Sequence, residues 1–507
     1  MAFLWADGFD MYSAVADVAQ RWDSALTSGI TIVATANTAF AVGQAMQLGN
    51  ASPTIAILTR TFSSNETTIF GSIRLKRGGG SLSTNYTWIT FFDGSTAQVT
   101  IRWNEDGSIS FYSGTAAGTS LGATAAGVGA GATWDSWQWK FVISPTVGTF
   151  ELRKNGSVTA TLSLTGLNTR PGANTYVNKM VVGSNISLNS QIDDLFVCSG
   201  SGAVPNDWPG DQRCVVQTPT ATTQTQLSQN PTATTWGQTT NNTSIGTGFG
   251  SGVISWFKIT APYSGTASTI AMSLSVSITG SLNAALYTDS AGVVGSLMSQ
   301  GTTVVNPASG AQVFTLAAPQ AIVKGTSYWV ANWCSVATSN SYNGTSGSQT
   351  RMTQTLAYTG TFPSTGTAAG TLVTAAAAPY FGISLGSIDS ASLVADATQD
   401  ADTSYVYGST VGNYDLYSFP TLASLGITPA AITGVIPFAI SKKSDSGART
   451  ISVQVKSGAT EVAAVTNAGP SLSYSFLGGW LSTDPNTSAT WTTAALDAVT
   501  IGPKVVA

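Results

Sequence analysis

The sequence predicts an all-β fold, and three observations support it. Short segments rich in β-branched and aromatic residues recur along the chain. Turn-forming pairs separate these segments, among them Asp93-Gly94, Asp106-Gly107 and Asn155-Gly156. Helical periodicity is scarce, and one short helix is predicted between Ala14 and Ser28. This spacing of strands and turns is typical of β-sandwich domains.

The first strands follow from residue type and alternation. They are predicted at Thr31–Ala34, Thr54–Leu58, Trp88–Phe92, Gln98–Trp103, Ser108–Tyr112 and Trp137–Ile143. A hairpin follows, in which Thr149–Lys154 leads into Asn155-Gly156 and Ser157–Leu162 returns. Asn-Gly tolerates positive φ at both central positions, so the pair predicts a type I′ turn.

Composition changes divide the 507 residues into blocks. The predicted domains are residues 1–215, 251–388 and 389–507, and residues 216–250 form a polar linker or arm. Within the arm, Gln217–Thr247 is rich in Thr, Gln, Asn and Pro and nearly uncharged. The Ser335–Ala369 stretch is predicted as long surface loops. Strands in the second and third blocks are predicted at Gly252–Ile259, Ile270–Ile278, Ala284–Tyr287, Gln312–Leu316, Tyr328–Trp333, Val435–Ile440 and Thr450–Val455.

Charge and hydrophobicity exclude several classes of partner. Twenty basic and 24 acidic residues give a net charge of −4 without a basic stripe, so no nucleic acid or anionic membrane surface is expected as a partner. No run of about 18 apolar residues predicts a transmembrane helix. The segment Met1–Gly8 lacks the features of a secretory signal, so synthesis in the cytoplasm is expected.

Two residue types limit the chemistry. The chain has no His, which excludes Ser-His-Asp and Cys-His catalysis and His-ligated zinc. Its three cysteines, Cys198, Cys214 and Cys334, match no zinc spacing. They are predicted to be reduced, buried thiols, and a Cys198–Cys214 disulfide is the alternative.

Acidic residues are the remaining candidates for catalysis or metal binding. Asp193 and Asp194 are neighbours on a predicted strand, so alternation should place them on opposite faces, where they cannot flank one glycosidic bond. The other acids considered are scattered, at Glu105, Asp106, Asp396, Asp400, Asp402 and Asp415. No catalytic, cofactor-binding or metal-binding residue is therefore assigned. Calcium held by Asp396, Asp400 and Asp402, with Asp193 and Asp194 contributing, stays an alternative to turn and cap chemistry.

Glycine-rich segments and tryptophans are the remaining candidates for ligand binding. Gly78–Gly80 and Gly118–Gly131 are predicted to be flexible loops, because neither has the context of a phosphate loop. Exposed aromatic rings are the usual handle for sugars, and the candidates are Trp134, Trp137, Trp139, Trp208 and Trp236. A sandwich core is the favoured place for Trp137 and Trp139, while Trp208 is expected to be exposed or docked on a neighbouring subunit.

Three segments together resemble one family. They are Met1–Tyr12; Ile192–Val197 with Pro205–Arg213; and Asp402–Tyr407 with Lys442–Thr450, Val455–Gly458 and Trp480–Trp491. These resemble tailed-bacteriophage structural proteins with a concanavalin A-like, or laminin-G-like, N-terminal domain. The resemblance implies a lectin-like jelly roll ending near the Asp-Asp-Leu strand and a small β domain at the end of the chain.

The middle block resembles β-sandwich modules of bacterial surface and phage proteins, through Leu286–Leu297 and Gly325–Ala331. The expected fold is thus a jelly-roll sandwich, a second sandwich and a small C-terminal β domain. Ligand-binding positions vary in the family, so the ligand-binding residues stay unknown.

The function implied is that of a non-enzymatic virion protein, with two roles open: a tail fibre or spike that contacts host glycans, or a capsid or collar decoration protein. A polysaccharide-degrading tailspike enzyme is the rival. The expected partners are other virion proteins and further copies of the chain, with a trimer favoured. The Gln217–Thr247 arm is predicted to lie on a neighbouring subunit or domain, with a mobile linker as the alternative.

Overall fold

The computed structural model is dominated by β-strands, which account for 53% of the chain against 4% for helices, and this confirms the all-β prediction. Within the described residues, no helix is long and apolar enough to cross a membrane. The structure describes residues 3–12, 14–26, 29–33, 43–48, 56–76, 86–104, 106–129, 133–184, 190–202, 207–231, 235–238, 243–244, 250–338, 343–366, 371–379, 381–396, 402–467 and 469–507. Gly78–Gly80 therefore lies outside the described residues.

The chain divides into two compact units. Unit 1 comprises Met1–Thr218, Ala397–Gln399 and Thr410–Ala507, and unit 2 comprises Pro219–Asp396 and Asp400–Ser409. The C-terminal block from Thr410 onwards thus belongs to the same unit as the N-terminal block. That the four blocks are separate domains, with a linker or arm between the first two domains, stays a prediction.

The N-terminal block of unit 1 contains fifteen strands in its described residues. They are β1 Phe3–Asp7, β2 Ser24–Leu26, β3 Ile30–Val33, β4 Ala45–Leu48, β5 Ala56–Glu66, β6 Thr68–Lys76, β7 Tyr86–Asp93, β8 Thr96–Asn104, β9 Ile109–Ser113, β10 Thr119–Ala123, β11 Asp135–Val142, β12 Gly148–Lys154, β13 Leu162–Leu167, β14 Val177–Ser184 and β15 Ser190–Ser199. The predicted helix at Ala14–Ser28 is only a 3₁₀ helix, Val15–Gln20, because β2 begins at Ser24.

These strands form two antiparallel sheets that face each other. The eight-stranded sheet has the order β13-β12-β11-β6-β15-β4-β3, with β1 paired to β15. The seven-stranded sheet has the order β10-β9-β8-β7-β14-β5-β2. One apolar cluster is shared by both sheets; for example Ile89 and Phe91 of β7 lie in the same core as Trp139 and Phe141 of β11. The block is therefore a β-sandwich.

Two local predictions in this sandwich are corrected in part. Asn155 and Gly156 have φ of 51° and 71°, and the Ser157 amide donates to the Lys154 carbonyl at 3.0 Å, so the tight turn is confirmed. The returning strand, however, begins at Leu162 and not at Ser157. Strand β10 occupies part of the glycine-rich stretch Gly118–Gly131, which was predicted as loop.

Unit 2 holds the next strands and one helix. They are β16 Ala221–Gln224, β17 Ser228–Asn230, β18 Thr235–Gln238, β19 Thr243–Ser244, β20 Val253–Thr260, β21 Gly265–Leu274, β22 Ser281–Ser290, β23 Val293–Gln300, β24 Val304–Val305, β25 Gly310–Ile322, β26 Ser327–Cys334, β27 Asn343–Thr355, β28 Thr371–Pro379, β29 Phe381–Ile388, α1 Ser390–Val394 and β30 Tyr405–Tyr407. A four-stranded sheet, β18-β29-β21-β25, and a larger sheet centred on β27-β20-β26-β22-β23 share a second core.

Unit 2 corrects the prediction of long loops and contains strands within the predicted arm. The segment predicted as a linker or arm supplies β17, β18 and β19, which pair with β30, β29 and β27 of the same unit. Backbone pairing of this kind needs no apolar side chains, so composition did not reveal it. The stretch predicted as long loops contains the 13-residue strand β27. Phe362, which follows this strand, is buried in an aromatic cluster with Trp333.

The C-terminal block of unit 1 is small and mostly β. Its elements are β31 Leu416–Ser418, β32 Phe438–Ser441, β33 Ile451–Ser457, β34 Thr460–Asn467, β35 Ser475–Gly478, α2 Thr493–Ala498 and β36 Thr500–Val505. Strands β31, β36, β33 and β34 pair in that order, and β32 pairs with β35. Val455, Trp491 and Val499 form the centre of its own apolar cluster.

Candidate functional site

Most of the predicted tryptophan candidates are core residues. Trp137 and Trp139 are 1% and 0% exposed and pack between the two sheets of the first sandwich. Trp236 is buried in the core of unit 2. Trp134 is half-buried. The core interpretation of Trp137 and Trp139 is thus confirmed, and neither ring is available to a ligand.

Trp208 lies on the outer side of the eight-stranded sheet. It is half-buried, with the Arg153 guanidinium 3.7 Å from its ring centroid and the edge of Phe70 at 5.6 Å. Arginine over an indole face is a stabilising arrangement. Trp208 is thus half-buried against its own sheet, and its docking on a neighbouring subunit stays a prediction.

The C-terminal block covers this same side of the sandwich. The Trp480 ring stacks on Phe3 at 4.2 Å between centroids with an interplanar angle of 7°. Phe196 tilts against Trp480 at 6.0 Å, and Ile436 joins the cluster. We call this outer side of the eight-stranded sheet, defined by Phe3, Phe70, Phe196 and Cys198, the covered face. Its aromatic side chains are occupied by contacts within unit 1.

The adjacent carboxylates of β15 also lie on the covered side, against the prediction of opposite faces. Ile192 and Leu195 both point into the core, so two residues, Asp193 and Asp194, occupy the outer side where alternation allows one. The register against β6 shifts at this point, and Asp194 has a φ of 49°. A β-bulge therefore breaks the alternation and brings both carboxylates to one side.

Both carboxylates are buried and engaged by neighbouring groups. Asp194 accepts a 2.6 Å hydrogen bond from the Cys214 amide and lies 3.4 Å from Arg74 Nε. Arg74 also binds Asp211 at 2.7 Å. Burial raises the pKa of Asp193 and of Asp194, and burial raises the pKa of nearby Asp10 to about 6. These contacts tie the segment around Cys214 to the sheet.

The part of the chain that the structure describes contains no assembled calcium site of the kind considered above. There, no three Asp, Glu or Cys side chains gather around a common point. Asp396 accepts from Lys324 at 2.5 Å and from Ser404 at 3.1 Å, and Asp415 accepts from Tyr417. Asp106 caps its own turn by accepting from Ser108, while Glu105 and Asp400 fall outside the described residues and Asp402 is exposed.

The cysteines are free thiols. Cys198 and Cys334 are buried and Cys214 is half-buried, and none of the three forms a disulfide. Burial raises the pKa of Cys198 to about 12, so its thiolate is strongly disfavoured. The prediction of reduced thiols is confirmed, and the Cys198–Cys214 bridge is not formed.

The outer side of the seven-stranded sheet has a different character. Ile89 and Phe91 of β7 point into the core, so Trp88, Thr90 and Phe92 point outwards. Register across the sheet then defines the set of side chains that we call the open face: Trp88, Thr90, Phe92, Thr100, Arg102, Tyr112, Lys179, Val181 and Gly183. Trp88, Phe92, Arg102, Lys179 and Val181 are each partly exposed.

Trp88 is the central aromatic residue of the open face. It stands opposite Gly183 on one side and opposite Arg102 on the other. A Cβ atom at position 183 would lie 2.5 Å from the Trp88 Cζ2 atom, so the indole lies directly over the glycine. A side chain at this position would push the ring away from the sheet. The ring is thereby held flat, with one side towards the sheet.

Polar side chains around Trp88 are fixed by the loop after β9. Thr90 and Thr100 hydrogen bond to each other at 2.9 Å, and Thr100 donates to the Gly114 carbonyl at 2.7 Å. Arg102 donates through Nη1 to the Ala116 carbonyl at 2.9 Å. Both threonines are almost fully buried, so these bonds have little competition from water. The loop therefore holds the floor of the open face in a defined geometry.

The open face combines an aromatic ring with polar neighbours. The Trp88 ring supplies apolar contact area, and the partly exposed Arg102 beside it supplies N–H donors, while the buried Thr90 and Thr100 support the sheet beneath. Trp88 is not among the five tryptophan candidates predicted from the sequence. The signal was nevertheless in the sequence, because Trp88 occupies an outward position in a strand whose inward positions are Ile89 and Phe91.

Comparison with known proteins gives a fold likeness only. The sequence matches no protein-family model and no curated protein. The catalytic domain of the glycoside hydrolase family 131 protein from Coprinopsis cinerea is similar at 12% identity, over 42% of this chain and 99% of that one, with a TM-score of 0.28. Lectin II from Ulex europaeus is similar at 9% identity, over 34% of this chain and 94% of its own, with a TM-score of 0.23.

A third similar structure is the CBM2 module of the evolved Dit of Lactobacillus casei BL23 phage J-1. It shares 9% identity and covers 40% of this chain and 98% of the module, with a TM-score of 0.26. Enzymes and lectins thus both occur among the similar structures. At these sequence identities and TM-scores the likeness is one of backbone fold, and it assigns no ligand to this chain.

Proposed function

We propose that this chain is a non-enzymatic structural component of a tailed-phage virion, a tail fibre, spike or other receptor-contacting appendage that binds host-surface glycans. The observation that carries the glycan-binding part is the open face, where the Trp88 ring lies flat over Gly183 beside Arg102. The virion part is supported by the sequence resemblance of residues 1–215 and 389–507 to phage structural proteins.

Binding without hydrolysis is supported by where the carboxylates lie. Glycoside hydrolysis requires two carboxyl groups flanking the scissile bond. The open face as defined above contains none, while Asp193 and Asp194 lie buried against Arg74 and Cys214 on the other side of the sandwich. An assay for reducing-sugar release from host polysaccharide tests this part, and measurable release by the purified chain would contradict it.

The glycan-binding part is tested with a tryptophan pair. The full chain is applied to an array of bacterial surface glycans, and the best ligand is then titrated by calorimetry. Trp88→Ala removes the partly exposed ring and is expected to weaken binding at least about tenfold, equivalent to about 1.4 kcal/mol. Trp208→Ala removes a ring from the covered side and is the matched control. Equal loss in both variants, or no loss in Trp88→Ala, would contradict the assignment of the open face.

The virion part is tested by location and mass. Antibody labelling of intact phage particles is expected to mark the tail, and labelling of the capsid or collar would instead favour a decoration role. A closed homo-oligomer, with a trimer favoured, is expected from native mass measurement of the full chain. Several open faces on one particle would then raise the overall avidity for a repetitive cell surface.

A further inference from the structure

The turn at Asn155-Gly156, which follows strand β12, leaves one backbone amide accessible. Both residues are exposed, with φ of 51° and 71°. The turn is closed by the Ser157 amide, which donates to the Lys154 carbonyl at 3.0 Å. Among the described residues, the Gly156 amide has no hydrogen-bond acceptor of its own. Because glycine has no side chain, the Gly156 nitrogen is also free of steric hindrance.

The Asn155 side chain is held beside the start of strand β11. Its Oδ1 accepts a 2.8 Å hydrogen bond from the Ser136 amide, and its Nδ2 donates to Asp135 Oδ1 at 3.2 Å. A backbone N–H that binds a carbonyl oxygen stabilises the negative charge that develops there when the carbonyl carbon is attacked. The side-chain amide of Asn155 is therefore polarised for attack by a nucleophile.

We infer that Asn155 is a site of spontaneous deamidation, in which the Gly156 amide nitrogen attacks the side-chain amide of Asn155. Hydroxide removes the Gly156 amide proton, and the electron pair of the nitrogen forms a bond to Asn155 Cγ. Negative charge develops on Oδ1, where the Ser136 N–H binds it. The Cγ–Nδ2 bond then breaks, and the nitrogen takes a proton from water and leaves as ammonia. The product is a cyclic succinimide, and water opens either of its carbonyls to give aspartate or isoaspartate.

A second Asn-Gly pair, Asn343-Gly344, has the same side chains in a different backbone setting. It lies at the start of strand β27, where Gly344 has a partner in β19 on one side and a partner in β28 on the other. Cyclisation requires the peptide unit between Asn and Gly to rotate, and pairing with two strands opposes this rotation. Gly156 belongs to no strand. The structure therefore favours reaction at Asn155 and protection at Asn343.

Deamidation at this turn would change the hairpin in two ways. An acid at position 155 cannot donate to Asp135 and brings a second carboxylate next to it. Like charges at this distance repel each other, although Lys154 Nζ, 3.0 Å from Asp135 Oδ2, offsets part of the repulsion. Isoaspartate also lengthens the main chain by one carbon, which a two-residue turn does not accommodate.

The experiment follows both Asn-Gly pairs in one sample of the full chain. The protein is incubated at mildly alkaline pH, and peptide mapping by mass spectrometry measures the conversion of each side-chain amide to an acid. We expect Asn155 to react at least about tenfold faster than Asn343 in the folded chain, and the two to react at similar rates after unfolding in guanidinium chloride. Equal rates in the folded chain, or faster reaction at Asn343, would overturn the inference.

The products and three variants identify the attacking atom. Isoaspartate is expected at position 155, because direct hydrolysis by water gives aspartate alone, and its absence would overturn the inference. Asn155→Gln lengthens the side chain, which disfavours ring closure, and should abolish the conversion. Gly156→Ala places a methyl group beside the attacking nitrogen and should slow the reaction at least about tenfold, while Ser157→Ala is the matched control and should leave the rate nearly unchanged. An unchanged rate in Gly156→Ala would overturn the role of the Gly156 nitrogen.

Discussion

The covered face and the open face belong to one sandwich, yet their aromatic residues have different neighbours. On the covered face, Phe3 and Phe196 contact Trp480, an aromatic ring from the C-terminal block. On the open face, Trp88 lies over a glycine, and cations stand beside Phe92 and Tyr112. The difference teaches that the outward aromatic rings of one sandwich can meet different neighbours: Phe3 and Phe196 are covered by a ring from the C-terminal block, and Trp88 lies on the sheet over a glycine.

The largest expected effect tests the covered face. Trp480→Ala removes the ring that stacks on Phe3 at 4.2 Å, and the loss of this packing should lower the free energy of unfolding of unit 1 by about 3 kcal/mol. Denaturation by guanidinium chloride, followed by tryptophan fluorescence, measures it. Trp480→Phe should retain most of the stability. A change below about 0.5 kcal/mol for Trp480→Ala would mean that the two blocks are not energetically coupled.

The next effect is a pH dependence on the covered side. Burial raises the pKa of Asp10 to about 6, from about 3.9 in an unfolded chain. The folded state therefore binds more protons than the unfolded state between these values, so the free energy of unfolding falls as pH rises through this range. The Tm of unit 1 should decrease between about pH 4 and about pH 7, by about 2–4 °C for each kcal/mol lost.

A neutral variant checks the origin of that dependence. Asp10→Asn keeps an oxygen acceptor for the Gln44 amide and cannot ionise, so it should raise the Tm at the higher pH and leave it nearly unchanged at the lower. Asp445→Asn, which changes an exposed carboxylate, is the control. A parallel drop in Tm for Asp10→Asn at both pH values would show that the hydrogen bond matters and the charge does not.

The smallest effect on stability is expected on the open face. Gly183→Ala places a methyl group 2.5 Å from the Trp88 ring, so the indole must move while the strand itself tolerates alanine. The free energy of unfolding should change by less than about 1 kcal/mol, while glycan affinity falls several-fold. Gly386→Ala is the matched strand-glycine control, because its new Cβ would meet no atom closer than 3.4 Å. Unchanged glycan binding in Gly183→Ala would show that the position of the Trp88 ring does not matter for binding.

Much of the first sandwich was predictable because its strands obey alternation. Segments such as Trp137–Ile143 combine β-forming residues with a clear inward face, and the Asn155-Gly156 turn has one favoured geometry. The same rule misled us at Asp193 and Asp194. A bulge adds one residue to the strand, and Asp tolerates the positive φ at position 194 without any composition signal.

The candidate site was harder to predict than the fold for a physical reason. Whether an outward ring such as Trp88 or Trp208 is covered depends on segments far away in sequence. The Trp208 ring contacts Arg153, which is 55 residues earlier in the sequence. The Phe3 ring contacts Trp480, which lies near the other end of the chain. Local patterns contain no information on such contacts. The strands formed by Gln217–Thr247 were missed for a similar reason, since their stabilisation comes from backbone pairing with distant strands.

The stacking of Phe3 on Trp480 also determines when the covered face can be completed during synthesis. A ribosome adds about 5–20 residues per second, so roughly 13–50 seconds separate the emergence of the first sandwich from that of Trp480. During that interval Phe3 and Phe196 still lack the Trp480 ring that later contacts them, although all strands of the sandwich have already been made. The nascent chain thus exposes an aromatic surface while unit 2 is still being made. Chaperone occupancy of ribosome-bound chains should therefore peak before Trp480 emerges and fall afterwards.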